Sequence, residues 1–213
     1  MAPLQTGKVL GKVAGLLTAL QLLRMGCKAI VFSLMERTVW ADTLVSCCYM
    51  IAATAALLLV WRKHPLSLLP KHFGKGYLLA TALAAAFLVS TPFITRNTGA
   101  GALLSLFYGA VVTVVFEELL FRGWAWKELE TLRGGFFPWL GSSLLFGLWH
   151  LGYTDTVLWR ASLFFPGSDV VIILFWKVVT GLCLGVLFGL LRWKYKNAYA
   201  PALLHLAVNA FGS

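Results

Sequence analysis

Long apolar runs, most of them close to 20 residues, constrain the fold of this chain more than any other feature. The runs cover residues 41–61, 75–95, 101–121, 136–153, 169–191 and 198–212. Hydrophobic residues make up 60% of the 213 positions and charged residues only 12%. A helix needs about 20 apolar residues to cross a bilayer, and a backbone in lipid must be satisfied within a helix or a closed barrel. Because the runs lack the period-2 alternation of strands, the sequence predicts an all-α, polytopic transmembrane helix bundle.

A further apolar segment, residues 9–35, contains two basic residues. Arg24 and Lys28 are four positions apart and share one helix face. A charge at the centre of a spanning helix costs about 2.5–3.5 kcal/mol on insertion scales, so these side chains face protein, snorkel, or lie at the membrane interface. A membrane helix is the favoured interpretation. The prediction is therefore one compact membrane domain of about seven membrane helices (range six to eight), with N-terminal helices over residues 1–98 and a helical core over 99–213.

The net charge of +10 comes mainly from basic residues in the connections between apolar runs. Three connections are rich in them: Arg62, Lys63, Lys71 and Lys75; Arg122, Lys127 and Arg133; and Arg192, Lys194 and Lys196. The alternate connections contain one each: Arg37, Arg96 and Arg160. Since cytoplasmic connections carry the excess of Lys and Arg, the pattern predicts a multi-pass membrane protein with a cytoplasmic N-terminus. The expected location is a bacterial or archaeal cell membrane. Without one basic polar face, it does not predict nucleic-acid binding.

A few ionisable or amide side chains interrupt the apolar runs, and such groups within a membrane indicate a functional site. They are Glu117, Glu118, Arg122, His150, Lys177, His205 and Asn209. At a rise of about 1.5 Å per residue, a helix over residues 101–131 places Glu117 near its middle. A helix over residues 136–159 places His150 about 21 Å from its start, and His205 falls about 12 Å into the last helix. Antiparallel helices would therefore bring the three residues to a similar depth.

The spacing of the polar residues suggests different tasks for them. Glu118 and Arg122 are four apart and can pair on one helix face, whereas Glu117 is rotated by about 100° and can face a cavity as a general base. His205 and Asn209 also share a face, and both can donate hydrogen bonds to a developing oxyanion. The alternative for the whole set is a group of polar clamps that orient the helices without catalysis.

The apolar run over residues 169–191 has two further features. Gly181, Gly185 and Gly189 are spaced by four residues, which predicts close packing of this helix on a neighbour. Lys177 lies in the same run and is interpreted as a snorkelling side chain or a local counter-ion.

Three short motifs follow one another on three of the predicted helices: EELLFR at residues 117–122, FGLWH at 146–150 and HLAVN at 205–209. They resemble the EExxxR, FxxxH and HxxxN motifs of the CPBP intramembrane proteases, the Abi-type family that contains CAAX prenyl endopeptidases and bacteriocin-processing enzymes. The order of the motifs also fits that family, and the resemblance covers roughly residues 100–213.

The resemblance implies an intramembrane endopeptidase in which Glu117 and His150 hold and activate the attacking water, while His205 and Asn209 stabilise the oxyanion. The supporting residues that it implies are Glu118, Arg122 and Phe146. A mechanism without a metal or another cofactor is favoured. Zinc is the alternative, with Glu117, His150 and His205 as ligands, because one Glu and two His satisfy a catalytic zinc site.

The substrate that the resemblance implies is a membrane-bound peptide or protein. A prenylated C-terminus, a peptide pheromone and a bacteriocin precursor all fit, and the sequence does not choose among them. Two other function classes remain: a non-catalytic immunity or scaffold protein, which predicts degraded motifs, and a proton-coupled transporter. Buried Glu and His are typical of transporters as well, but the internal repeats and interrupted helix pairs of many transporters are not evident in this sequence.

Overall fold

The computed structural model of the protein describes residues 3–64 and 66–212, and these residues form helices joined by short connections, with no strand. The helices are α1 (Pro3–Leu34), α2 (Val39–Trp61), α3 (Lys75–Ile94), α4 (Ala100–Leu132), α5 (Phe136–Trp149), α6 (Thr154–Phe164), α7 (Val170–Tyr195) and α8 (Tyr199–Phe211). The predicted all-α fold is confirmed for the described part of the chain.

Five of the described helices, α1 to α4 and α7, are long and apolar enough to cross a membrane. Helices α5 and α8 have 14 and 13 residues, or about 20 Å at 1.5 Å per residue, which is less than the hydrocarbon core of about 30 Å. Large apolar side chains are exposed on the outer surfaces of the helices, among them Leu59, Leu79, Val89 and Phe175. Such a surface suits lipid, and the protein is an integral membrane protein.

Helix α4 passes through the middle of the bundle, and every residue from Phe116 to Trp126 is buried. Its backbone widens into π-helical turns at Phe107–Val112 and again at Glu118–Ala125. Such turns are rare and frequently occur at functional sites. The second one begins directly after Glu117, so the sequence motif with the paired acids spans a change in helix geometry.

The prediction of one helix over residues 136–159 is wrong, because α5 ends at Trp149 and a 3₁₀ turn separates it from α6. The backbone N–H of His150 donates to Gly147 O, three residues back, which tightens the last turn. The carbonyl of Phe146 instead lies 2.8 Å from Nδ1 of the His150 ring. His150 therefore stands at the C-terminal end of α5 and not within a longer helix.

Helices α5 and α7 approach closely along the predicted glycine stripe. A Cβ atom at Gly181 would lie 2.6 Å from Nδ1 of His150, and one at Gly185 would lie 2.9 Å from the carbonyl oxygen of Ser143. Gly189 is covered in the same way by a tryptophan ring of α5. The predicted close packing of this helix on a neighbour is confirmed, and α5 is that neighbour.

The two basic residues of α1 face protein and not lipid, which resolves the alternatives for the segment over residues 9–35. Arg24 and Lys28 are only 2% and 4% exposed. Arg24 forms a short ion pair with Asp155 of α6, and Nζ of Lys28 donates to Oδ1 of Asp42 at 2.9 Å. Arg37 and Arg160 also form ion pairs with these carboxylates. The resulting ionic cluster consists of Arg24, Lys28, Arg37, Asp42, Asp155 and Arg160.

Candidate active site

A cavity of about 870 Å³ lies among α4, α5, α6, α7 and α8. All four residues predicted to be catalytic line it: Glu117, His150, His205 and Asn209. Ligand sites typically have volumes of about 300–1,000 Å³ and mostly apolar walls, and Val157, Ala161 and Phe164 supply apolar surface here. The tertiary structure thus brings together the polar residues of three motifs that are far apart in sequence.

Two aromatic side chains hold the carboxylate of Glu117, which is 2% exposed. Its Oε1 atom accepts hydrogen bonds from Nε1 of Trp149 at 3.1 Å and from the hydroxyl of Tyr153 at 3.3 Å. These bonds offset part of the cost of removing a carboxylate from water. The sequence reasoning missed both residues, because Trp and Tyr near helix ends are also what an interfacial aromatic belt predicts.

The imidazole of His205 lies between the two acids of α4. Its Nδ1 is 2.9 Å from Oε1 of Glu118, and its Nε2 is 3.8 Å from Oε2 of Glu117. The ring stacks on Phe188 with 4.5 Å between ring centroids, and the edge of Phe146 meets it at 5.8 Å. Because an ionised carboxylate only accepts hydrogen bonds, Nδ1 carries a proton in this arrangement.

Glu118 also pairs with Arg122, as their four-residue spacing predicts. The same Oε1 atom that contacts the imidazole is 3.3 Å from Nη1 of Arg122. The guanidinium is fully buried, lies 4.3 Å from the ring centroid of Phe146 and 5.3 Å from that of Phe188, and donates from Nη2 to Gly185 O at 3.3 Å. Glu118 and Arg122 therefore fix the position of His205 from behind the cavity wall.

The other two predicted residues are each tied to a backbone carbonyl. Asn209 donates from Nδ2 to Gly109 O at 2.9 Å, within the first π-helical segment of α4. Nδ1 of His150 donates to the carbonyl of Phe146, because a carbonyl oxygen only accepts. In the neutral ring this leaves Nε2 of His150 as a hydrogen-bond acceptor.

Within residues 3–64 and 66–212, no group of three or more His, Cys, Asp or Glu side chains is arranged to hold a metal ion. The three residues of the zinc alternative all line the cavity. Nδ1 of His205 contacts Glu118 and Nδ1 of His150 contacts a carbonyl, which leaves Nε2 of each ring as the atom that could bind a metal. Whether the reaction depends on a metal stays a prediction, for which an experiment is given below.

Two cations also line the cavity, Lys177 of α7 and Arg160 of the ionic cluster.

In the ionic cluster, burial alone would raise the pKa of Asp155. The hydrogen bond and the charge of Arg24, together with the charge of Lys28, instead hold that pKa below its ordinary value. Asp155 is therefore an ionised carboxylate beside the basic side chains of this cluster.

Comparison with known proteins gives one match. Residues 98–211, more than half of the chain, match the protein family described as type II CAAX prenyl endopeptidase Rce1-like. No curated protein and no solved structure matches the chain. The matched range includes α4 to α8, and with them every residue that lines the cavity. This chain belongs to the Rce1-like family of type II CAAX prenyl endopeptidases and is a membrane peptidase.

Proposed function

We propose that this peptidase hydrolyses a peptide bond of a membrane-associated substrate inside its cavity, with water activated by Glu117 and His150 and the oxyanion stabilised by His205 and Asn209. The observation that carries the proposal is the convergence of these four side chains on one cavity. Of the described residues that line it, Glu117 is the only one with a carboxylate. A general base and two donors at one site are what peptide hydrolysis requires.

Glu117 and His150 are suited to hold the attacking water. Trp149 and Tyr153 fix Oε1 of Glu117, and Nε2 of the neutral His150 ring accepts a hydrogen bond. A water molecule between these two groups gives one proton to Glu117 while its oxygen attacks the carbonyl carbon of the substrate. The same proton then passes to the leaving amine nitrogen as the peptide bond breaks.

The charge balance around His205 supports its role as a donor. Glu117 and Glu118 contribute two negative charges and Arg122 one positive charge, so the site is neutral when the imidazole is protonated on both nitrogens. Uncompensated charge is costly in a buried site. Nε2 then carries a hydrogen that can bind the oxyanion, and the amide of Asn209 supplies the second donor.

The family and the basic connections support a proposal for the substrate class and the orientation. The family description favours a peptide with a prenylated C-terminus as the first substrate to test. The basic residues predict that the connections from α2 to α3, from α4 to α5 and from α7 to α8 are cytoplasmic, with the N-terminus on the same side. The membrane that we propose is that of a bacterial or archaeal cell.

Substitution of the general base tests the proposal. Full-length protein in detergent is incubated with prenylated peptides, and the release of the C-terminal fragment is measured for wild type and for Glu117→Gln. General-base catalysis contributes about 10²- to 10⁴-fold, so we expect kcat to fall by at least about 100-fold. The control is Glu128→Gln on the same helix, since Glu128 pairs with Lys12 at the protein surface.

Equal cleavage by wild type and Glu117→Gln would contradict the proposed site, provided that thermal unfolding curves show both proteins to be folded. A chelator added to the wild type tests the choice of a metal-free mechanism, for which we expect unchanged activity. Loss of activity with the chelator and its recovery with zinc would overturn that choice in favour of the zinc alternative.

A further inference from the structure

Lys177 and Arg160 line the catalytic cavity, and the proposed mechanism gives neither a task. Lys177 lies within the membrane helix α7. Among the described residues it has no hydrogen bond or close ion pair, and its charge interacts with those of Arg160 and Glu117 across the cavity. Nη2 of Arg160 donates to Oγ1 of Thr43 at 3.2 Å and lies 3.6 Å from Oδ2 of Asp42, while its buried Nε atom has no hydrogen-bond partner in the described part of the chain. Two cations thus border an apolar cavity without full compensation.

The ionic cluster as a whole has an excess of positive charge. It contains four basic side chains and two carboxylates, a difference of two charges, and Lys177 adds a third. The carboxylate of Asp42 is already shared, because Lys28 and Arg37 both contact Oδ1, at 2.9 and 2.7 Å. Since charge inside a membrane is costly when it is not paired, this wall of the cavity favours an anion.

The cations lie close to the catalytic groups. Lys177 is four residues before Gly181, which packs directly against the ring of His150. Four residues of helix rise by about 6 Å, and an extended peptide advances about 3.3–3.6 Å per residue. An anion held at Lys177 is therefore roughly two residues of extended chain from His150.

We propose that Lys177 and Arg160 bind the free C-terminal carboxylate of the peptide substrate, a few residues beyond the bond that is cleaved. The proposal rests on the proposed function, since it assumes that the cavity takes a peptide. A substrate carboxylate fits better than a lipid phosphate because the same cavity contains the catalytic residues. Apolar side chains between the cations and the catalytic residues, such as Val157 and Leu184, would accommodate the intervening substrate residues.

Two peptides that differ only at their C-terminus, as a free carboxylate or as an amide, test this assignment. Their Kd values are measured by fluorescence anisotropy with full-length Glu117→Gln protein in phosphatidylcholine nanodiscs, so that binding is separated from turnover. A hydrogen-bonded charge pair corresponds to about 10- to 100-fold in affinity, and we expect the acid to bind more tightly than the amide by that factor. For turnover, KM and kcat are measured with the same peptides and with protein that keeps Glu117.

Lys177→Met in the same background should reduce the ratio of the two Kd values by about tenfold, and Arg160→Gln should reduce it as well. The Met substitution removes a charge within a membrane helix that has no close ion pair among the described residues, and it keeps the length of the side chain, so we expect thermal stability to be retained. The matched control is Lys194→Met near the other end of α7, where Lys194 lies over the ring of Tyr195. This variant should leave the ratio unchanged.

The outcomes separate this inference from the proposed function. Equal Kd values for acid and amide overturn the carboxylate site even if the protein that keeps Glu117 cleaves both peptides. A tenfold ratio that Lys177→Met abolishes supports the site even if no peptide is cleaved, in which case the proposed function fails. A third outcome is that Lys177→Met leaves the ratio of the Kd values unchanged in phosphatidylcholine nanodiscs and alters the Kd values only in nanodiscs that contain phosphatidylglycerol. In that case the cations bind a lipid phosphate and the proposal is wrong.

Discussion

Gly181→Ala is expected to displace the ring of His150, for which we propose a catalytic role, without unfolding the protein. The added Cβ would lie 2.6 Å from Nδ1 and 2.8 Å from Cε1 of His150, where ordinary contacts begin at 3.4 Å. The imidazole must therefore move by about 1 Å, and a misplacement of that size can cost about 100-fold in rate. The ring is the end of a side chain and can turn aside, and the nearest backbone atom, Cα of Gly147, would lie at 3.3 Å, only slightly inside ordinary contact. The change should therefore affect kcat much more than stability.

The measurement combines kcat for a cleavable membrane peptide with thermal unfolding of full-length protein in detergent. Gly15→Ala in α1 is the control, because a Cβ atom there meets nothing within 4 Å and should preserve both quantities. Gly185→Ala gives the contrast: its Cβ would meet the backbone of Ser143 at 2.9 Å, and we expect a lower melting temperature. If Gly181→Ala cleaves within threefold of wild type, the proposed role of the ring position is refuted.

Two further predictions concern the buried ion pairs. Arg122→Ala should lower the free energy of unfolding by about 3–5 kcal/mol, because it leaves a buried carboxylate without its cation; normal yield, melting temperature and activity together would contradict this. Asp155→Asn should lower the melting temperature at neutral pH, since Arg24 loses its ion pair. Because the pKa of Asp155 is lowered in the folded protein, its contribution is complete above the unfolded value of about 3.9 and is lost as the pH falls further. The difference between wild type and Asp155→Asn should therefore shrink in melting curves recorded from pH 5 down to pH 3, and a constant difference would count against the pair.

Helix-forming patterns explain why much of the fold is readable from the sequence. The apolar run over residues 101–121 and the basic residues beyond it predict a helix over 101–131, and α4 covers Ala100–Leu132. The glycine stripe of α7 likewise predicts a close helix contact that the structure contains. These features depend on residues near one another in the chain, where helical periodicity decides which side chains share a face.

Interruptions of helix geometry could not be predicted in this way. At His150 the ring contacts the carbonyl of Phe146, the backbone N–H donates to Gly147 O, and a 3₁₀ turn follows. The π-helical segment after Glu117 changes the directions of the following side chains by an amount that no spacing rule contains. Periodicity assumes regular turns, so the spacing of the residues predicts neither interruption.

Hydropathy and spacing are local properties, so they already indicate a helical membrane protein and show which polar side chains interrupt its apolar runs. The contacts of those side chains follow from the packing of the helices. This packing placed Trp149 and Tyr153 on Glu117, set His205 between the two acids, and brought Lys177 to the cavity. Such contacts join residues of different helices, and they exist only once packing has fixed the relative rotation and depth of those helices.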